Sequence, residues 1–188
     1  MDNTPVTVPE QADAAVTSRV DADRAVVEAW RAHHGELFGF LSRSTRDQAA
    51  AEDLLQDTFL RLTQEARNGR MPGLVRPWLF RVATNLAISR ARRGSTALRW
   101  LHRQVDPESR RAESPESRTV RQEATTDMAA ALAGLSPDAR AALLLASQGF
   151  SGVEIAAAIG RTDGATRTLM CRARLQLRTE LVSRGGGS

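Results

Sequence analysis

Glu52, Asp53 and Asp57 are three carboxylates within two turns of sequence, a spacing that could hold a divalent cation or supply a general acid and base. No histidine or further acid stands where it would complete such a site. On a helix, Asp53, Gln56, Asp57, Leu60 and Gln64 fall together on one side, opposite Ala51, Leu55, Phe59, Leu62 and Ala66. An exposed leucine ringed by acids and glutamines suits docking against a basic partner surface. An ordinary solvated helix face remains open as an alternative, and so does an all-α enzyme built on Glu52, Asp53 and Asp57.

A second chemistry comes from arginine. Arg167, Cys171, Arg174 and Arg178 recur at i, i+4, i+7 and i+11, with Thr168 and Arg172 beside them. Thr166, Met170, Ala173, Leu177 and Leu181 form a separate apolar stripe on the same segment. Arginine bonds guanine bidentately and neutralises phosphate, so such a stripe opposite a clean core face is equipped to read a duplex. A similar arrangement recurs in PWLFRVATNLAISRARR, residues 77–93. There Trp78, Leu79, Val82, Ala83 and Leu86 are the expected core, and Arg81, Asn85, Ile88 and Arg92 the outward stripe. Asn85 can bond a base edge, and Arg90, Arg92 and Arg93 extend a cationic surface.

These residues need helices to position them, and the pattern supplies them. Helical periods run over about 23–41, 48–66 and from Pro77 to Arg93 or beyond, with Val26, Val27, Trp30, Leu37, Phe38 and Leu41 as the first one's apolar members. Residues 105–126 contain almost nothing apolar and cluster Pro and Ser, the composition of a flexible linker. Four shorter helical pieces follow. One ends near Gly134, and the next is capped by Ser136 with Pro137 in its first turn. The third opens on a Ser151/Glu154 capping box and stops at Gly160, and the last begins within three residues of that stop. A short helix, a tight turn and a longer basic helix match a helix-turn-helix. Strand signals are absent, so the expected fold class is all-α.

Composition excludes several classes of function. All 26 basic residues among the 188 are arginine, and the formal net charge is +4. Lysine-dependent phosphate loops and Schiff bases are therefore out. The single cysteine, Cys171, makes no internal disulfide. No apolar run approaches the roughly 20 residues of a membrane span, and the N-terminus is acidic and polar, so a soluble, cytoplasmic protein is expected. Charge is segregated: the arginines concentrate over 70–111 and 161–184, on either side of the polar stretch, as two contacts with a polyanion would require.

Taken in order, AAEDLLQDTFLRL, PWLFRVATNLAISRARR and GLSPDARAALLLASQGFSGVEIAAAIGRTDGATRTLMCRARLQL closely resemble the extracytoplasmic-function class of bacterial RNA polymerase sigma factors, over about residues 25–182. The resemblance implies a subunit without catalytic residues, cofactor or metal. It would bind core RNA polymerase, at the clamp of the largest subunit and the flap of the second largest, and promoter DNA both duplex and melted. An anti-sigma factor is a further family expectation. Asp53, Gln56, Asp57, Leu60 and Gln64 then match the clamp-docking helix. Arg76, Arg81, Asn85, Ile88, Arg90, Arg92 and Arg93 match the surface that recognises and melts the −10 element, with NGRMPGLVR (68–76) as the loop that pockets a flipped base. Thr162, Arg167, Thr168, Cys171, Arg172, Arg174 and Arg178 match the −35 reader. Where the family commonly has Gly-Thr-Val, this chain has Gly164, Ala165 and Thr166, and Leu169 stands where a further basic residue is common.

The domains expected are a mobile tail over 1–22, a promoter-melting domain of three to four helices over 23–104, a linker over 105–126, a four-helix helix-turn-helix domain over 127–182, and a disordered end over 183–188. A free-standing helix-turn-helix regulator is the competing function, and it would have no use for the face at 53–64. His33 and His34 are adjacent, hence about 100° apart on a helix, a poor pair for one metal. Cys171 is expected to be inert, and Trp100 and Leu101 to extend the third helix's packing.

Overall fold

The computed structural model describes the backbone of residues 10–101 and 120–185 and the side chains of 19–94 and 127–184. Seven helices, and no strand among the described residues, make the fold all-α: α1 (Glu10–Thr45), α2 (Gln48–Arg67), α3 (Val75–Leu101), α4 (Val120–Ala133), α5 (Pro137–Ser147), α6 (Gly152–Ile159) and α7 (Asp163–Gly185).

Local chemistry sets most of these boundaries. Asp47 caps α2, accepting from the Ala50 amide at 3.1 Å. Ser136 caps α5 with Pro137 in its first turn. The Ser151/Glu154 capping box opens α6, and Gly160 ends it at φ 68°, a left-handed conformation that costs glycine nothing. The Ser151 backbone and hydroxyl both donate to Glu154, holding that carboxyl below the usual glutamate range.

Two boundaries differ from the sequence reading. Helix α1 begins at Glu10, so residues 10–22 of the expected tail are helical, and α4 begins at Val120, inside the expected linker. Polar composition misleads in both cases, because polar residues with good helix propensity need no buried face. The remainder of the expected tail (1–9) and linker (105–119), His102, and residues 186–188 lie outside the described residues, as do the side chains of Trp100 and Leu101.

Helices α1, α2 and α3 pack on one another around Leu37, Phe40, Leu41, Leu62, Leu79 and Phe80, all fully buried. Helices α5, α6 and α7 enclose Leu145, Ile155, Met170 and Ala173. The two sets are joined: α3 packs against both α5 and α6, and α1 against α5. Phe80 is the pivot, its ring centroid 5.3 Å from Phe40 within the first set and 5.0 Å from Phe150 of the second. Of the first helix's expected apolar members, Leu37 and Leu41 are buried and Val26 and Phe38 partly so. Val27 is exposed, and Trp30 lies at the surface between His34 and Phe59.

Candidate nucleic-acid interface

The acidic face forms as its spacing predicts. Ala51, Leu55, Phe59, Leu62 and Ala66 are buried, while Asp53, Gln56, Asp57, Leu60 and Gln64 all point to solvent. Leu60 is 56% exposed, an apolar side chain held out of the core among acids and amides. Among the described residues, no three His, Cys, Asp or Glu side chains gather where they could hold a metal ion, so Glu52, Asp53 and Asp57 do not make one.

The arginine stripe of α7 is equally clean. Thr166, Met170 and Ala173 are buried and Leu177 and Leu181 partly so. Arg167, Thr168, Cys171, Arg172, Arg174 and Arg178 are exposed, with Thr162 exposed in the preceding turn. Arg167 is steadied by an ion pair to Asp163 one turn earlier. The stripe faces water along its length, ready for a polyanion.

Helix α3 departs from that pattern. Arg81, Asn85, Arg90, Arg92 and Arg93 are exposed, but Ile88 is only 5% exposed and belongs to the core. It does share a side with Arg81 and Asn85; α6 covers that side, with Ile159 across the same cleft. Ile88, expected on the DNA-facing stripe, is thus placed by this structure in the packing beneath α6.

Arg76, expected on the same DNA surface, is engaged within the protein as well. Its guanidinium is half-buried, forms a bidentate pair with Glu36 (Nε to Oε2 3.0 Å) and donates to the Gln148 carbonyl at 3.0 Å. It also stacks on Phe80 and Phe150 at 5.1 and 4.7 Å. Hydrogen bonding to Arg76 holds the Glu36 carboxyl below the usual glutamate range, against the opposing effect of burial. Arg90 leans 3.8 Å from Asp53, linking the two exposed faces of the first helical set.

Arg92 reaches Asp138 at the start of α5, Nη2 to Oδ1 3.0 Å. Asp138 is 5% exposed and is held from the other side by Arg161, whose Nε and Nη2 lie 3.0 and 2.6 Å from Oδ2. The loop at 68–76 likewise faces the second helical set: Gly73 and Leu74 form one wall of an open groove of ≈ 500 Å³, with Phe150, Glu154 and Ala158 opposite.

Sequence reasoning missed four residues here: Glu36, Asp138, Arg140 and Arg161. Arg140 donates to the carbonyls of Leu132, Ala133 and Leu135 at 2.8, 3.1 and 3.2 Å, capping the end of α4, and to the Ser44 carbonyl of α1 at 2.9 Å. Burial, and then the nearby Arg46, push its pKa down from the ordinary arginine value. Asp138 carries a local signal, an acid in a first turn, which explains its place but not its partners.

Comparison with known proteins gives one family. Residues 29–97 match the model for Sigma-70 region 2 and residues 126–177 that for Sigma-70, region 4. The chain is 31% identical over 179 residues to the ECF RNA polymerase sigma factor SigL of Mycobacterium tuberculosis, covering 92% of this chain and 98% of that one. It is 33% identical over 166 residues to SigE of Mycolicibacterium smegmatis, covering 85% of this chain but 64% of SigE. It spans 36% of the probable sigma factor RfaY of Xanthomonas campestris, at 31% identity and 74% of this chain. In fold it is similar to the sigma factor RpoE solved with the anti-sigma factor NepR from Bartonella quintana, with TM-score 0.61, 24% identity and coverage of 86% and 96%. CnrH, solved with the cytosolic domain of CnrY, gives TM-score 0.60 at 23% identity, covering 90% and 95%.

Proposed function

This chain belongs to the sigma-70 family, in its extracytoplasmic-function class, and from that membership we propose that it binds core RNA polymerase and directs promoter recognition, with no reaction of its own. The observation that carries the reading is the pairing of two opposite surfaces on one chain. Helix α2 presents exposed acids and amides around Leu60, and α7 presents an exposed row of arginines. A free-standing DNA-binding regulator needs only the second.

Each surface then has its work. Asp53, Gln56, Asp57, Leu60 and Gln64 dock on a basic patch of the polymerase clamp, where rim charges steer association and the apolar centre holds it. Arg167, Arg172, Arg174 and Arg178, with Thr162, Thr168 and Cys171, engage the −35 duplex by phosphate and base-edge contacts. Arg81, Asn85, Arg90, Arg92 and Arg93 meet the melted −10 strand, and the 68–76 loop receives a flipped base, whose extrusion costs a few kcal/mol. An anti-sigma factor is a further partner proposed by likeness to the two solved complexes, and the site of action is the cytoplasm, with the polymerase.

The test is transcription in vitro from fragmented genomic DNA with core polymerase, mapping RNA 5′ ends. Discrete starts that need this protein and share two upstream elements are expected. Asp53→Ala with Asp57→Ala should weaken core binding by about tenfold or more, the scale of one charged hydrogen bond; undiminished binding would remove the docking assignment.

A further inference from the structure

We propose that the polar cleft between α3 and the turn after α6 binds a nucleoside diphosphate, with Arg92 and Arg161 holding its phosphates and Asn85 and Ser89 its sugar or base. The site stands without the sigma reading; only its consequence for strand capture rests on that reading.

Two arginines converge here on one acid. Asp138, 5% exposed, accepts from Arg92 Nη2 at 3.0 Å and from Arg161 Nε and Nη2 at 3.0 and 2.6 Å. Two cations against one carboxylate leave a surplus positive charge at the cleft. Asp138 orients both guanidinium groups, yet the arginine side chains remain 64% and 42% exposed. Each carries more N–H donors, in a fixed fork, than one shared carboxylate can use, and that fork matches phosphate oxygens. Arg161 is fixed through its backbone as well: Gly160 turns the chain at φ 68°, and the Arg161 amide donates to the Ala156 carbonyl at 3.0 Å. Groups held in place before binding spare the complex much of its ordering cost.

The rest of the cleft fits more than a bare phosphate. Its volume is ≈ 420 Å³, within the range of about 300–1,000 Å³ that small ligands occupy. Asn85 and Ser89 line one wall and are exposed, and among the described residues neither side chain spends a hydrogen bond on the protein. An amide and a hydroxyl each donate and accept, as a ribose or a base edge requires. Ile88 and Ile159, each 5% exposed, supply an apolar base. Orthophosphate would use the arginines alone; a nucleotide uses all three parts.

An occupied cleft engages Asn85 and Arg92, two of the residues assigned to the melted strand. Nucleotide and strand therefore compete, and a rise in free nucleoside diphosphate lowers strand capture by this chain.

The test uses the full chain without polymerase and reads binding of ADP, GDP, pyrophosphate and orthophosphate at one ionic strength by isothermal titration calorimetry. ADP or GDP should bind about tenfold more tightly than pyrophosphate, the scale of one or two added hydrogen bonds, and orthophosphate most weakly. Arg161→Lys keeps a cation beside Asp138 but loses the fork, and Ser89→Glu brings a carboxylate into the cleft from an exposed position of α3. Each variant, checked for native helix content by circular dichroism, should weaken nucleotide binding by about tenfold or more, the factor for one charged hydrogen bond. Duplex binding through α7 should be unchanged in Ser89→Glu.

Should Arg161→Lys lose its fold, Ser89→Glu carries the test. Nucleoside diphosphates that bind no more tightly than orthophosphate, or folded variants that bind them as wild type does, overturn the proposal. If ADP leaves a labelled single strand of random sequence bound while Arg161→Lys releases it, the cleft belongs to the strand and not to a small ligand, which overturns the proposal too. Transcription with core polymerase reads the sigma assignment separately. Absent starts from a chain that binds ADP in this cleft end that assignment and leave the site standing; normal starts from a chain that binds no nucleotide do the reverse.

Discussion

Helices α3 and α7 carry arginine rows at similar spacing, and they meet different fates in one molecule. On α7 the row is exposed along its length, with Arg167 paired to an acid of its own helix. On α3 the same spacing is interrupted: Ile88 is buried under α6, Arg92 reaches Asp138 of α5, and Arg76, just before the row, is committed to Glu36. Spacing decides which residues share a face. What covers that face is decided elsewhere in the chain, here by the length and capping of α5 and α6.

The largest blow to this contrast is expected from Phe80→Ala. The ring is fully buried and stands between Phe40 and Phe150, so its loss empties the α1–α3 core and removes the ring contact with the second helical set together. Loss of a buried aromatic costs about 3–5 kcal/mol, and urea unfolding should register it. A loss below about 1 kcal/mol would mean that the two helical sets do not share this ring.

Next in size is the charge on α7. With the row facing solvent, Arg174→Ala with Arg178→Ala should lower duplex affinity of the free protein and flatten its salt dependence, by about 0.9 in the log–log slope for each phosphate no longer neutralised. Arg81→Ala on α3 should leave both unchanged in the free protein and act only in the polymerase complex. Equal effects from the two helices would erase the difference between them.

Much of this arrangement is legible in the amino-acid sequence alone. The stripes of α2 and α7 follow from a 3.6-residue period, because each faces its own set on one side and water on the other. The caps at Ser136, Ser151 and Gly160 are legible because their chemistry is local. The third surface of α3 is not, since burial of Ile88 depends on α6, some 70 residues further along the chain. Asp138 shows the same limit: an acid in a first turn looks like an ordinary dipole partner until Arg92 and Arg161 are brought to it. The starts of α1 and α4 escape for another reason, since polar helices carry no apolar period to mark them.

A smaller effect tests how Arg76 is committed. Its pairing lowers the Glu36 pKa, so Glu36 binds a proton more readily in the unfolded chain than in the folded one. That contribution is fully present above the unfolded value and is lost as pH falls through the lower, folded one. Stability should therefore decline with acid below the ordinary glutamate range, and Glu36→Gln should flatten that part of the profile. An unaltered profile would free Arg76 from the core and return it to the α3 row.

The smallest expected effect concerns the turn that α5 grips. Arg46 lies between α1 and α2 at φ 60°, the only non-glycine described residue with positive φ. A left-handed conformation costs an ordinary residue about 1–2 kcal/mol, while glycine gives back about 0.5–1 kcal/mol in chain entropy. Arg46→Gly should therefore stabilise by about 0.5 kcal/mol, a rise of about 1–2 °C in Tm for a chain of this size. It also removes the cation that, after burial, disfavours the charged form of Arg140, the residue that binds Ser44 across the two sets. Relief of that repulsion acts in the same direction, so thermal unfolding should register a rise in Tm. An unchanged or lower Tm would mean that Arg46 is held at this φ without net strain.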